Sequence, residues 1–403
     1  MESIKEIFRI GRGPSSSHTM GPVRAAQMYK QKYPKAKSFK VTLYGSLALT
    51  GKGHLTDVAI INELKPAKTE IIWKADEAKE FHPNALEFEV ADNGVDSEKW
   101  LVYSVGGGKI VDDKDKGADP EMIYTQQNMQ DVLAYYKKTG KLFWELVFET
   151  EGEEIKEYLA NVWEVMKAAI DEGLNKEGLI PGGLKLQRKS ATYFAKSKSL
   201  SGHAKTTSKI FAYALAVSEQ NASGGVVVTA PTCGSCGILP SVLKISQEHY
   251  EIDDDKIIRA LATAGLVGNI VKHNASISGA EVGCQGEVGT ACAMAAAAAT
   301  QLAGGSPAQI EYAAEMGLEH HLGLTCDPIK GLVQIPCIER NVHAAARAFD
   351  SARYSIFSDG KHFISFDDVT RAMKQTGKDM PSLYRETALG GLAIFGDEDF
   401  VDN

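Results

Sequence analysis

The chain is poor in cysteine and uneven in where it places it. Six cysteines stand among 403 residues, and none precedes Cys233. That is too sparse for a disulfide scaffold, and a disulfide-stapled fold would have little reason to leave its first half bare. Positive charge is also short: 44 Lys and Arg face 52 Asp and Glu, a formal net charge of −8. Nucleic-acid or anionic-membrane partners, which need a basic surface, are not expected. No run approaches the roughly 18 apolar residues of a membrane span. The charged start Met1-Glu2-Ser3-Ile4-Lys5-Glu6 lacks a signal-peptide core, so a cytoplasmic protein with reduced thiols is expected. Walker A and strand-linked G-x-G-x-x-G motifs are missing. No lysine sits in a Gly-rich phosphate-loop context, so pyridoxal phosphate is not expected.

What is present is ordinary in bulk, with 44% hydrophobic and 24% charged residues, which excludes disorder. Phe39, Val41 and Leu43 alternate with polar neighbours, as do Leu86, Phe88 and Val90, and Trp100 to Val105 continues the pattern. That period of two predicts half-buried strands. Helices are predicted between them over Gly21 to Tyr33 and His54 to Leu64. The polar stretch Val111 to Pro120 reads as a linker. Beyond it the period becomes three to four: Ile155, Leu159, Val162, Met166 and Ile170 mark one face of a long helix. Further helices are expected over Asp254 to Val271, Glu287 to Leu302, Pro307 to Leu318 and Asn341 to Tyr354. Gly225 to Ala230 is the best strand signal. The expected fold is therefore an α/β N-terminal domain, residues 1–120, plus a large mostly α-helical domain, residues 121–403.

Three cysteines lie in loop-like settings: Cys284 in Gly-Cys-Gln-Gly, Cys326 before Asp-Pro, and Cys337 after Pro. Thiolates in loops can turn towards a shared metal or iron–sulfur centre. The separations, 42 and then 11 residues, fit no ferredoxin or zinc-finger pattern. Spacing alone therefore leaves buried packing residues as the alternative, with Cys292 inside an Ala-rich helix its clearest case. Cys233-Gly-Ser-Cys236 could be a redox pair or half a zinc site, but has no second pair or thioredoxin-like surroundings. At the other end, Ser15, Ser16, Ser17, His18 and Thr19 pack four hydroxyls and an imidazole ahead of a helix. Such a loop can seat a carboxylate or phosphate, and His18 can work as an acid or base near neutral pH. An ordinary N-cap beside a solvated histidine is the plainer reading.

Several long motifs occur in order: residues 10–19 (IGRGPSSSHT), 43–54 (LYGSLALTGKGH), 103–108 (YSVGGG), 180–185 (IPGGLK), 228–232 (VTAPT), 282–289 (VGCQGEVG), 323–328 (GLTCDP), 333–341 (VQIPCIERN) and 384–391 (YRETALGG). Together they resemble the iron–sulfur-dependent L-serine dehydratases, over nearly the whole chain. The resemblance implies an ammonia-lyase taking L-serine to pyruvate and ammonia in a cytoplasmic homodimer. It implies a [4Fe–4S] cluster on Cys284, Cys326 and Cys337, with the fourth iron a Lewis acid for the serine hydroxyl. His18 is then the expected base, and Ser15, Ser16, Ser17 and Thr19 the carboxylate seat. Some single-chain relatives end in a cysteine that occupies the fourth iron; this chain ends Phe400-Val-Asp-Asn403, so that self-occupancy is not expected. A related lyase for L-cysteine or L-threonine, and a non-catalytic iron–sulfur or zinc redox sensor, are the alternatives.

Overall fold

A computed structural model describes residues 1–92, 98–112, 121–387 and 389–395. Residues 113–120 of the expected linker and the cysteine-free end, residues 400–403, lie outside the described residues. The chain divides into two compact units: Arg12–Pro120, and Met1–Gly11 together with Glu121–Asn403. Residues 1–11 thus belong with the later part of the chain, not with the α/β region that follows them.

After the short strand β1 (Ile10–Arg12), the smaller unit runs α1 (Gly21–Lys32), β2 (Ser38–Tyr44), α2 (Gly45–Thr50), α3 (Thr56–Leu64), β3 (Lys68–Lys74), β4 (Ala85–Val90), β5 (Trp100–Ser104) and β6 (Ile110–Asp112). The sheet order is β3-β2-β4-β5-β6. β2 and β3 are parallel, joined through α2 and α3, and the other pairings are antiparallel. Strand alternation sorts the side chains as the sequence pattern requires. Phe39, Val41, Leu43, Leu86 and Phe88 pack with Ala25, Ala26 and Tyr29 of α1 and with Ile60 and Leu64 of α3. The in-between residues Lys40, Glu87 and Glu89 form ion pairs with each other or with Lys99.

The larger unit is helical: α4 (Met129–Thr139), α5 (Phe143–Glu151), α6 (Glu154–Leu174), α7 (Ser190–Ser197), α8 (Gly202–Ala222), then strand β7 (Val226–Val228), then α9 (Ile238–Tyr250), α10 (Asp254–Asn274), α11 (Gly279–Val282), α12 (Thr290–Leu302), α13 (Pro307–Glu319), α14 (Cys337–Phe357) and α15 (Phe366–Asp379). β7 pairs with β1. Every residue from Thr290 to Thr300 is buried, and α12 packs against α9, α10, α13 and α14. Alanine permits this because it lets backbones approach. At Gly317 of α13 an added Cβ would lie 2.9 Å from the Ala293 backbone, so α12 and α13 touch main chain to main chain. Among the described residues no helix is long and apolar enough to cross a membrane.

The helix expected from Glu287 begins at Thr290, because residues 285–289 form a π-helical turn. Cys337 is not in a loop but is the first residue of α14, where the preceding proline lacks the N–H that would continue a helix backwards.

Candidate active site

In the helical unit the chain returns three times to one place. Cys284 opens the π-helical turn after α11, Cys326 lies on the extended segment after α13, and Cys337 starts α14. All three are buried. Cys284 Sγ and Cys326 Sγ donate to the same oxygen, Glu287 Oε2, at 3.8 and 3.9 Å. These sulfurs and the carboxylate lie within 4.8 Å of one another. Arg340, three residues into α14 from Cys337, hydrogen-bonds Cys284 and carries the field of both Cys284 and Cys337. Its other nitrogens reach the Thr325 carbonyl at 2.6 Å and Asp327 at 3.5 Å, fixing the segment that bears Cys326.

The surroundings are cut close. A Cβ at Gly279 would stand 2.7 Å from Glu287 Oε2 and 3.2 Å from Cys326 Sγ, so no larger residue fits there. Thr232 Oγ1 donates to Glu287 Oε1 at 2.6 Å, which seats the Cys233–Ser235 turn against the carboxylate. Asn341 clamps that turn, donating to the Gly234 carbonyl at 2.7 Å and accepting from Gly237 N at 2.9 Å. Cys233 and Cys236 are buried, and burial pushes both thiols up. Cys292 lies inside α12 with its thiol on the Ala344 carbonyl at 3.4 Å, away from the group of three.

Electrostatically the site resists free thiolates. Cys326 is held well above the usual thiol range by its hydrogen bond with Cys284 and then by burial, and Cys337 by burial and the Cys284 charge. The Glu287 carboxyl is raised by burial, against its hydrogen bonds from Thr232 and the two thiols. Soft sulfur donors converging from three elements, with an arginine to offset their charge, fit an iron–sulfur or other thiophilic centre. Binding such a centre releases the thiol protons.

The other predicted residues lie in the smaller unit. Residues 16–20 form a π-helical turn leading into α1, capped by Ser15, whose Oγ accepts from His18 N at 3.0 Å. The Ser15 carbonyl takes the amides of Thr19 and Met20, so the free N–H groups expected of this loop are largely used internally. The Thr19 hydroxyl is committed too, donating to the His54 carbonyl at 2.8 Å. Ser17 Oγ lies 2.9 Å from His18 Nδ1, and Ser46 Oγ 3.1 Å from His18 Nε2. The Ser16 hydroxyl makes no side-chain hydrogen bond among the described residues. His18 is wholly buried, and its ring centroid lies 4.6 Å from that of His54. Burial, then the His54 charge, hold His18 well below the usual imidazole range, and burial lowers His54 to about 4. Both rings are neutral at pH 7.

The structure thus gathers Cys284, Cys326 and Cys337 in one unit, and Ser15, Ser16, Ser17, His18 and Thr19 in the other. Glu287, Thr232, Arg340, Ser46 and His54 went unread. Glu287 and Arg340 follow Cys284 and Cys337 by three residues, the spacing that keeps two side chains on one side of a helical turn.

The chain belongs to the serine dehydratase family. Residues 55–393 match the family described as serine dehydratase alpha chain, and residues 3–69 match serine dehydratase beta chain. Particular relatives run the full length. The chain is 42% identical to L-serine dehydratase of Streptomyces coelicolor, over 97% of this chain and 98% of that protein. It is 40% identical to L-serine dehydratase 1 of Escherichia coli over 98% and 99%, and 37% identical to that of Haemophilus influenzae over the same shares.

Proposed function

We propose that the chain is an L-serine dehydratase, taking L-serine to pyruvate and ammonia, with a [4Fe–4S] cluster held by Cys284, Cys326 and Cys337. The observation that carries this is the meeting of the buried Cys284 and Cys326 thiols on Glu287, with the buried Cys337 near enough to feel Cys284, in a chain of the serine dehydratase family. When bound, such a cluster supplies a Lewis acid for the serine hydroxyl, a poor leaving group unaided.

The chain's own residues supply the rest. His18 takes the α-proton. Its neutral ring has a lone pair to accept it, and the hydroxyls of Ser17 and Ser46, which can donate or accept, follow the ring through the change of charge. A substrate carboxylate beside the ring favours the protonated form and so strengthens a base that burial has weakened. Ser15, Ser16, Ser17 and Thr19 seat that carboxylate. Ser16 has the uncommitted hydroxyl, while Thr19 contributes mainly by fixing the turn to His54. Loss of the α-proton and of hydroxide leaves aminoacrylate, which tautomerises to an imine and hydrolyses to pyruvate and ammonia. The enzyme is further read as a cytoplasmic homodimer, which sedimentation tests.

Anaerobic reconstitution followed by a substrate panel tests the assignment. Pyruvate and ammonia from L-serine are expected, well above 2-oxobutyrate from L-threonine or sulfide from L-cysteine. Preference for either of the other two would move the substrate. No turnover of any of the three by cluster-loaded protein would remove the lyase reading.

A further inference from the structure

On α13, Glu311, Glu315 and Glu319 are spaced by four and share one face, so three like charges stack along the helix. Two of them are answered. Glu311 accepts from Phe366 N at 2.8 Å and pairs with His362 Nε2 at 2.9 Å, and Glu319 is half exposed, so water reaches it. Glu315 is not. It is only 5% exposed, makes no hydrogen bond or ion pair among the described residues, and lines a cavity of about 470 Å³. With no donor from the described residues, this carboxylate is answered only by what enters the cavity it lines. Burial, then Glu319 and Glu311, push its carboxyl up to about 7, as expected for a charge without a partner.

The remaining lining suits an organic cation. Tyr312 stacks on His362 at 4.3 Å, nearly parallel, and meets Tyr354 edge-on at 6.0 Å. Both His362 nitrogens face oxygens, of Glu311 and of the Gly360 carbonyl, so the ring is a fixed wall and not a ligand. Phe363, also lining the cavity, is 99% exposed. Of the charges on the wall, Glu315, Glu319 and Asp350 are acidic. Arg347, and His362 when it carries the charge that answers Glu311, oppose them; Arg347 is shared, with His320 and Asp350, by a neighbouring cavity of about 420 Å³. One buried carboxylate among aromatic rings is too few oxygens for calcium or magnesium, which take about six to eight. Aromatic faces do attract ammonium groups, and the volume is that of a small-molecule site.

We propose that this cavity, walled by α13, α14 and residues 360–364, binds an organic primary ammonium ion, with Glu315 as counter-charge and Tyr312, Tyr354 and Phe363 as walls. The site is independent of the serine dehydratase reading and is tested by binding, not by turnover. Ethylammonium chloride titrated calorimetrically into the anaerobically prepared full chain, against sodium chloride at matched ionic strength, should bind saturably. Glu315→Gln keeps the volume and should weaken binding about tenfold or more, the scale of a lost charged hydrogen bond. Phe363→Ala should weaken it about threefold, the scale of one exposed cation–aromatic contact. Ligand-free Glu315→Gln should melt no lower than the parent, since it removes an unanswered buried charge. Sodium binding as well as ethylammonium, no saturable binding, or a lower melting point for Glu315→Gln would each overturn the proposal. So would a dimer that Phe363→Asp splits while ethylammonium fails to bind, because the cavity would then be a subunit contact.

Discussion

The two units handle buried ionisable groups in different ways. In the helical unit Cys284 and Cys326 meet on one carboxylate with Cys337 close by, and burial together with the neighbouring Cys284 holds the Cys326 and Cys337 thiols above the usual range. In the α/β unit His18 and His54 are kept neutral by burial, and the hydroxyls on either side of His18 already satisfy both its nitrogens. On the proposed reading, one site receives a cofactor and the other handles a proton without one. The contrast teaches that the amount of burial is not what separates a ligand from a base; the available partners are.

Removing a thiol should sharpen the contrast most. Cys284→Ala, Cys326→Ala and Cys337→Ala should each abolish both cluster absorbance and serine turnover in anaerobic protein. Activity at parental level in any of them would mean the wrong ligands. His18→Ala should lower kcat about a hundred- to ten-thousandfold, the span of lost acid–base catalysis, with cluster absorbance unchanged. Loss of the absorbance would make His18 structural and blur the two regions into one.

Acid should separate them next. The folded pKa of His54 is depressed from 6.5 to about 4, so below 6.5 the unfolded chain binds protons that the native chain refuses. Stability is complete above about 6.5 and falls as pH drops towards 4, by about 2 kcal/mol between pH 7 and pH 5 from this ring alone. Urea midpoints at the two pH values check this. His54→Phe, which keeps a ring against His18, should flatten the slope, and an equally steep slope would place the titration elsewhere. The smallest effect is expected at Cys292→Ala: about 1 kcal/mol of stability for one buried sulfur, with turnover unchanged. A dead variant there would erase the distinction between ligand and packing cysteines.

Much of this was readable before the fold was known, for stated physical reasons. β2, β4 and β5 announce themselves by alternation because one face of the sheet is buried and the other carries Lys and Glu. α6 shows its face because only one side packs. β3 stayed hidden: it is an edge strand, and Lys68-Thr-Glu-Ile-Ile-Trp-Lys has no clean period because none of its residues is fully buried. α15 was missed because its buried face offers only Phe366, Val369 and Met373 as large apolar residues in a polar segment. At the site, spacing alone could not choose among six cysteines. The motifs chose three; the fold sets Cys284 and Cys326 on Glu287 and puts Arg340 near Cys284 and Cys337. Glu287 was illegible because an acidic residue in a Gly-rich run looks like solvated loop until the chain folds over it. Ser46 and His54 were illegible as partners of His18 because 28 and 36 residues separate them from it, and only the sheet and α2 bring them back.

If Cys284, Cys326 and Cys337 hold a cluster, serine turnover depends on its iron. Iron per chain, measured with pyruvate formation from L-serine across samples of graded anaerobic reconstitution, tests it most directly. Activity rising in proportion to iron and levelling at about four irons per chain is the predicted result. Full pyruvate formation from iron-free protein would contradict it.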